Sequence, residues 1–125
     1  MKPVAIYARV SSERQKEQET IASQTAALLE YATSQSWSVP NEWRFVDEGF
    51  SGANLVRPGL DSLRDRVAEG QIETVLVLSP DRLSRKYAYQ ILLTEEFHRH
   101  GAEIVFMKSP PATTPEEQLL AQVQG

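Results

Sequence analysis

An arginine and a serine stand two residues apart where a short apolar run ends. Val4 to Val10 reads as a strand, and Tyr7-Ala8-Arg9-Val10-Ser11-Ser12 carries it into a polar stretch. Side chains alternate along a strand, so Tyr7, Arg9 and Ser11 share one side while Ala8, Val10 and Ser12 take the other. The carboxyl end of a buried strand in an open α/β sheet is where ligands usually bind, which makes Ser11 the candidate nucleophile. Ser12 opens Ser12-Glu13-Arg14-Gln15, the spacing of a helix capping box. Taken alone, Arg-x-Ser at a strand end is equally an ordinary solvated turn followed by a cap, so the functional reading rests on the remainder of the chain.

A serine hydroxyl is a weak nucleophile unless a base activates it or nearby groups stabilise the charge that develops on attack. Histidine is poorly supplied: His98 and His100 sit two apart near the end of a predicted helix and point to different sides. Arginine is what the loops and strand ends offer, at Arg9, Arg57, Arg82 and Arg85. A guanidinium matches phosphate oxygens bidentately and keeps its charge. The chemistry this set suits is attack on a phosphodiester, with arginines neutralising the nonbridging oxygens and Asp81 orienting them or passing a proton to the leaving oxygen. The carboxylates show no paired spacing that would hold Mg²⁺, and no Gly-x-Gly-x-x-Gly or Walker loop is present. No metal and no cofactor are expected.

The elements that must position these residues follow from periodicity. Ser11 to Glu19 is polar and reads as a mobile loop. From Thr20 to about Ser34, Ile21, Thr25, Leu28, Leu29 and Ala32 recur at helical spacing, with Gln24 near the inner side, either buried with a partner or aimed at the site. Trp43 to Asp47 reads as a strand running into the glycine-punctuated loop from Glu48 to Asn54. Arg57 precedes Pro58, which suits the first position of a helix carrying Leu60, Leu63 and Val67 and stopping at Gly70. Thr74 to Leu78 is a nearly continuous apolar run, the pattern of a strand covered on both faces, and it ends in the charged loop Ser79-Pro80-Asp81-Arg82-Leu83-Ser84-Arg85. A helix from about Lys86 to His100 is expected to turn Tyr89, Leu92, Leu93 and Phe97 inward and to end at Gly101, and Ile104 to Met107 is the fourth strand. Thr114-Pro115-Glu116-Glu117 then opens a helix with Leu119, Leu120 and Val123 on one stripe. This order predicts an α/β fold: three layers, α/β/α, around a mostly parallel sheet of four to five strands. Residues 1–110 form one domain in this reading, and 111–125 begin a further helix that is cut short.

The 125 residues fit a single domain without staples. With no Cys there is no disulfide framework or thiolate metal site, which agrees with a reducing compartment, and the apolar runs fall far short of the roughly 20 residues a membrane span requires. A cytoplasmic protein without membrane contact is expected. A net charge of −4 argues against a broad basic field for nucleic acid, so any contact with DNA has to be made by locally clustered arginines.

Tyr7-Ala8-Arg9-Val10-Ser11, Gln24, the loop from Gly52 to Leu60 and Asp81-Arg82-Leu83-Ser84-Arg85 together resemble the catalytic domain of serine recombinases, over nearly the whole chain and in the same order. The resemblance implies Ser11 as nucleophile, Arg9, Arg57, Arg82 and Arg85 as phosphate-binding arginines, Asp81 as a further catalytic group, and Tyr7, Gln15 and Gln24 as substrate-positioning residues. It implies cleavage and rejoining of double-stranded DNA through a 5′-phosphoserine link without ATP, self-association into dimers and tetramers, and a long interface helix followed by a separate DNA-binding region. The long spacing between Ser11 and Gln24 leans toward the large integrase branch. Two other classes fit the residues: a non-catalytic module that docks a phosphorylated or acidic partner, and a small serine-dependent phosphatase or nuclease.

Overall fold

The computed structural model describes residues 1–11 and 20–108. In chain order these form β1 (Lys2–Pro3), β2 (Ala5–Val10), α1 (Ile21–Ser34), β3 (Trp37–Ser38), β4 (Arg44–Glu48), α2 (Pro58–Ala68), β5 (Thr74–Val77), α3 (Pro80–Leu83), α4 (Tyr87–Arg99) and β6 (Glu103–Phe106), with a 3₁₀ turn at Asn41–Trp43 before β4. The main sheet runs β4-β2-β5-β6, and all three pairings are parallel. Both central strands, β2 and β5, are buried at every residue, as expected of strands covered on two faces.

Helices cover the two faces unequally. α1 packs Leu28 and Ala32 on Val4, Ile6, Ala8, Leu76 and Leu78. On the other face Leu60, Leu63 and Val67 of α2 and Leu93 and Phe97 of α4 meet Ala5, Tyr7, Phe45, Val75 and Val77. The result is the expected α/β/α sandwich. Truncating one of these fully buried leucines to Ala is worth about 2–5 kcal/mol.

The helix boundaries have local causes. Thr20 caps α1 by accepting from the Ser23 amide at 3.0 Å, and the Ser23 hydroxyl in turn accepts from the Thr20 amide at 3.0 Å, a reciprocal capping box. Pro58 occupies the first turn of α2, and α2 and α4 both run out into glycines with φ of +82° and +83°, Gly70 and Gly101, a backbone that side chains disfavour.

Three expectations change, and one pair of short strands is new. The segment after β5 is not all loop, because Pro80 presets the first turn of α3 and makes Asp81 and Arg82 helical. Leu92 does not point inward: it is 44% exposed, since Leu93 and Phe97 already fill the stripe that faces the sheet. β1 and β3, two residues each, pair in parallel beside the main sheet, too short to leave a period in the sequence. The second core strand begins one residue later than Trp43, which belongs to the 3₁₀ turn. The loop reading of residues 12–19 and the helix at 114–125 lie outside the described residues.

Candidate active site

The end of β2 outruns one of its neighbours. Its register with β4 continues to Val10 opposite Glu48, whereas its register with β5 stops at Tyr7 opposite Val77. The backbone of Arg9 therefore faces no strand on the β5 side, and a buried amide and carbonyl must find partners elsewhere. Gln24, fully buried on the first turns of α1, supplies both. Its Oε1 accepts from the Arg9 amide at 3.2 Å and its Nε2 donates to the Arg9 carbonyl at 3.2 Å. One carboxamide thus replaces a rung of the sheet two residues before Ser11. On the opposite side the Val10 carbonyl accepts from the Gly49 and Phe50 amides at 2.8 and 3.3 Å.

The Arg9 side chain is fully buried and braces two segments against the strand. Its Nε donates to the Arg82 carbonyl at 3.1 Å, Nη1 to the Phe50 carbonyl at 3.0 Å and Nη2 to the Asp81 carbonyl at 2.8 Å. Gly52 is what lets the 49–57 loop approach: a Cβ there would lie 2.7 Å from Arg9 Nη2 and 2.9 Å from Arg85 Cγ. The Gly52 carbonyl accepts from the Arg85 amide at 2.9 Å and from the buried Ser84 hydroxyl at 3.2 Å. Ser84 also receives the Lys86 amide at 3.2 Å, and its carbonyl receives Gln90 Nε2 at 2.7 Å. The loop after β4, the turn after β5 and the start of α4 are thereby tied to one arginine on β2.

A second buried cluster lies on the Tyr7 side. Asp47, 2% exposed, comes inward at the end of β4 and caps α2, accepting from the Gly59 amide at 2.7 Å and the Leu60 amide at 2.9 Å. The Tyr7 hydroxyl donates to Asp47 Oδ2 at 2.7 Å and accepts from Arg57 Nη1 at 3.0 Å. Burial above all pushes the Tyr7 phenol well above its ordinary value; the Arg57 charge opposes this, and the hydrogen bond and charge of Asp47 reinforce it. Tyr7 is therefore neutral at physiological pH. Arg57 is itself fully buried, with Nε donating to the Asn54 carbonyl at 3.0 Å. Its Nη2 is buried with no hydrogen-bond partner among the described residues. Gly59 allows the close packing of α2 on β4, since a Cβ would sit 2.5 Å from the Val46 carbonyl.

The sequence candidates thus divide. Ser11 follows β2 directly and is 6% exposed. Arg82 is nearly buried, with Nη1 3.4 Å from the Arg9 carbonyl. Asp81 and Arg85 are exposed at the same end of the sheet, and the Asp81 carboxylate accepts from the Ser79 hydroxyl at 2.6 Å. Gln15 lies outside the described residues. His98 and His100 are exposed at the far end of α4. A groove of about 480 Å³ lined by Glu95, His98, Arg99 and Glu103 opens at that far end, away from Ser11. Among the described residues no His, Cys, Asp and Glu cluster is placed to hold a metal ion. Sequence reasoning missed Asp47 and Ser84. The signal for Asp47 was its place two residues after Phe45 on an alternating strand, which turns both inward.

Residues 4–125 match the family model described as the resolvase N-terminal domain. The chain belongs to this family. It is 36% identical over 123 residues to a Bacillus subtilis (strain 168) protein named "Putative DNA recombinase", covering 98% of this chain and 24% of that protein. It is 34% identical over 101 residues to the Tn3 transposon resolvase of Escherichia coli, covering 81% of this chain and 48% of that protein. The chain therefore spans from a quarter to a half of the length of these relatives. Among solved structures, the N-terminal catalytic domain of TP901-1 integrase superposes with a TM-score of 0.79 at 31% identity, covering 98% of this chain and 90% of the other. The C-terminal catalytic domain of ISC1926 TnpA, an IS607-like serine recombinase, gives 0.74 at 31% identity, covering 96% and 79%. The mostly parallel α/β sheet is that of the resolvase catalytic domains. Among the described residues no helix is long and apolar enough to cross a membrane.

Proposed function

We propose that the chain is the catalytic domain of a site-specific serine recombinase acting on double-stranded DNA. Ser11 Oγ attacks a backbone phosphorus, the bond from phosphorus to the 3′ oxygen breaks, and the 3′ oxygen takes up a proton. The DNA 5′ end is left as a phosphoserine ester. Attack by the 3′ hydroxyl of another strand reverses the step and releases Ser11, so the bond energy is conserved and neither ATP nor a metal is required. Arg57, Arg82 and Arg85 neutralise the nonbridging oxygens as charge accumulates, Arg9 braces the strand end that carries Ser11, and Asp81 moves the proton at the leaving oxygen. The protein works in the cytoplasm and self-associates into dimers and synaptic tetramers.

One observation carries this reading: a fully buried arginine, Arg57, which precedes α2 and donates to Tyr7 on β2, keeps a guanidinium nitrogen without a partner among the described residues. A buried cationic donor left unpaired is costly unless an anion is its intended partner. The test is strand cleavage of cognate site DNA by the protein as encoded. Ser11→Ala is expected to abolish cleavage with DNA binding retained, and EDTA is expected to leave the rate unchanged. Cleavage that stops with EDTA and returns with Mg²⁺ contradicts the arginine mechanism, and release of a free 5′ phosphate in place of a rejoined strand favours a nuclease.

A further inference from the structure

A buried carboxylate and a buried guanidinium on neighbouring elements ordinarily close into a bidentate pair. Asp47 and Arg57 do not. Among the described residues no ion pair joins them, and the Tyr7 hydroxyl stands between, donating to Asp47 at 2.7 Å and accepting from Arg57 Nη1 at 3.0 Å. A phenol has one proton, and spending it on Asp47 leaves the oxygen only its lone pairs for Arg57. The two α2 amides on Asp47 fill much of its remaining acceptor capacity. The guanidinium lies with Cζ 6.0 Å from the centre of the Tyr7 ring, which further limits how it can swing.

We infer that Tyr7 is a positioning residue that holds Asp47 and Arg57 apart, so that Arg57 Nη2 is kept for an anionic oxygen supplied from outside the fold. Tyr7 does not touch that oxygen. The anion class is a phosphate oxygen, and in that respect the inference rests on the function proposed above. A neutral phenol suits the role because it serves the carboxylate as donor and the arginine as acceptor at once. Burial of Tyr7 keeps it neutral. Without the hydroxyl, Asp47 becomes the nearest acceptor for Arg57, and the guanidinium turns toward it and away from the site. Because Nη2 is closed off from water, the donor meets the anion already desolvated.

The test compares Tyr7→Phe, Asp47→Asn and the double variant in the protein as encoded, with two readouts: cleavage of site DNA, and the side-chain nitrogen resonances of Arg57 titrated with inorganic phosphate. In the unmodified protein the Arg57 resonances should shift saturably with phosphate. Tyr7→Phe should lose this response and about 100-fold in cleavage rate, the scale of a misplaced catalytic group, with DNA affinity retained. Adding Asp47→Asn to Tyr7→Phe should restore part of both, because the competing carboxylate is gone. A Tyr7 that serves only to hold α2 and β4 together predicts the reverse, with the second change lowering cleavage further, and that result overturns the inference. Should Asp47→Asn fail to fold, the titration of Tyr7→Phe alone decides: an unchanged phosphate response overturns it. If Ser11→Ala still cleaves, the serine mechanism falls and the titration continues to test Tyr7. If Ser11 is required and Tyr7→Phe is silent, only the present inference falls.

Discussion

Replacing Gln24 by Leu removes the carboxamide that substitutes for a strand beside Arg9 while keeping a side chain of similar size. The Arg9 amide then loses its bond to Gln24 Oε1 in a fully buried setting, a loss of about 1–3 kcal/mol. The Arg9 carbonyl loses the 3.2 Å bond from Gln24 and keeps the 3.4 Å contact from Arg82 Nη1, a smaller loss of about 0.5–1 kcal/mol. Together the substitution should cost about 1.5–4 kcal/mol, or roughly 5–15 °C in Tm for a domain of this size. Thermal and denaturant unfolding of the 125-residue chain measures this. Cleavage by the protein as encoded should fall further than the folded fraction does, because the freed segment is two residues from Ser11, while DNA affinity is retained. Gln24→Glu supplies a graded control. A protonated carboxyl can donate to the Arg9 carbonyl and accept from its amide, whereas the carboxylate opposes that carbonyl. Its deficit relative to wild type should therefore grow as pH rises above the ordinary glutamate value of about 4.3. Stability within about 0.5 kcal/mol of wild type, or normal stability with weakened DNA binding, would refute the argument and make Gln24 a substrate contact.

Three further outcomes test the packing around the site. Gly59→Ala should destabilise more than Gly52→Ala in denaturant melts, because the added methyl at 59 meets a backbone carbonyl at 2.5 Å, whereas at 52 it meets side-chain atoms of Arg9 and Arg85; overpacking of this kind costs about 1–3 kcal/mol. Gly52→Ala should nevertheless impair cleavage more per unit of stability lost, since Arg9 is what it displaces. The bidentate pair between Arg64 of α2 and Glu96 of α4, at 2.9 and 2.7 Å, lowers the Glu96 carboxyl below its ordinary value, chiefly through the hydrogen bonds. Its stabilisation is present above the unfolded carboxylate range and lost as pH falls through the lowered folded value. A double-mutant cycle should give at most about 1 kcal/mol of coupling at pH 7 and none in acid; coupling that persists at pH 2 would contradict the assignment.

The sheet was readable because its central strands are mostly apolar and two of its helices, α2 and α4, stop at Gly70 and Gly101, glycines with positive φ. The placing of Tyr7 and Arg9 on one side of β2 followed from strand alternation, whereas Arg57 reaches Tyr7 from the start of α2. What could not be read is which partner each polar group takes. Gln24 at the inner side of α1 allowed a partner or a ligand, and only the offset between β5 and β4 along β2 shows why its partner is a backbone rung. Asp47 was read only as the last residue of a strand, and its partners are the α2 amides of Gly59 and Leu60. Leu92 and Leu93 are chemically identical, and a rotation of about 100° decides which is buried. Propensity and period determine elements; the pairing of buried polar atoms depends on how those elements meet.

The measurement closest to the central claim is the mapping of the covalent link. The protein as encoded is incubated with site DNA carrying a strand break that blocks rejoining, the adduct is digested, and the nucleotide-bearing peptide is sequenced by mass spectrometry. The account predicts a phosphoester from the DNA 5′ end to Ser11, absent in Ser11→Ala and retained in Ser12→Ala. A nucleotide on Ser12 or any other residue, or cleavage that leaves no protein on the DNA, would contradict it.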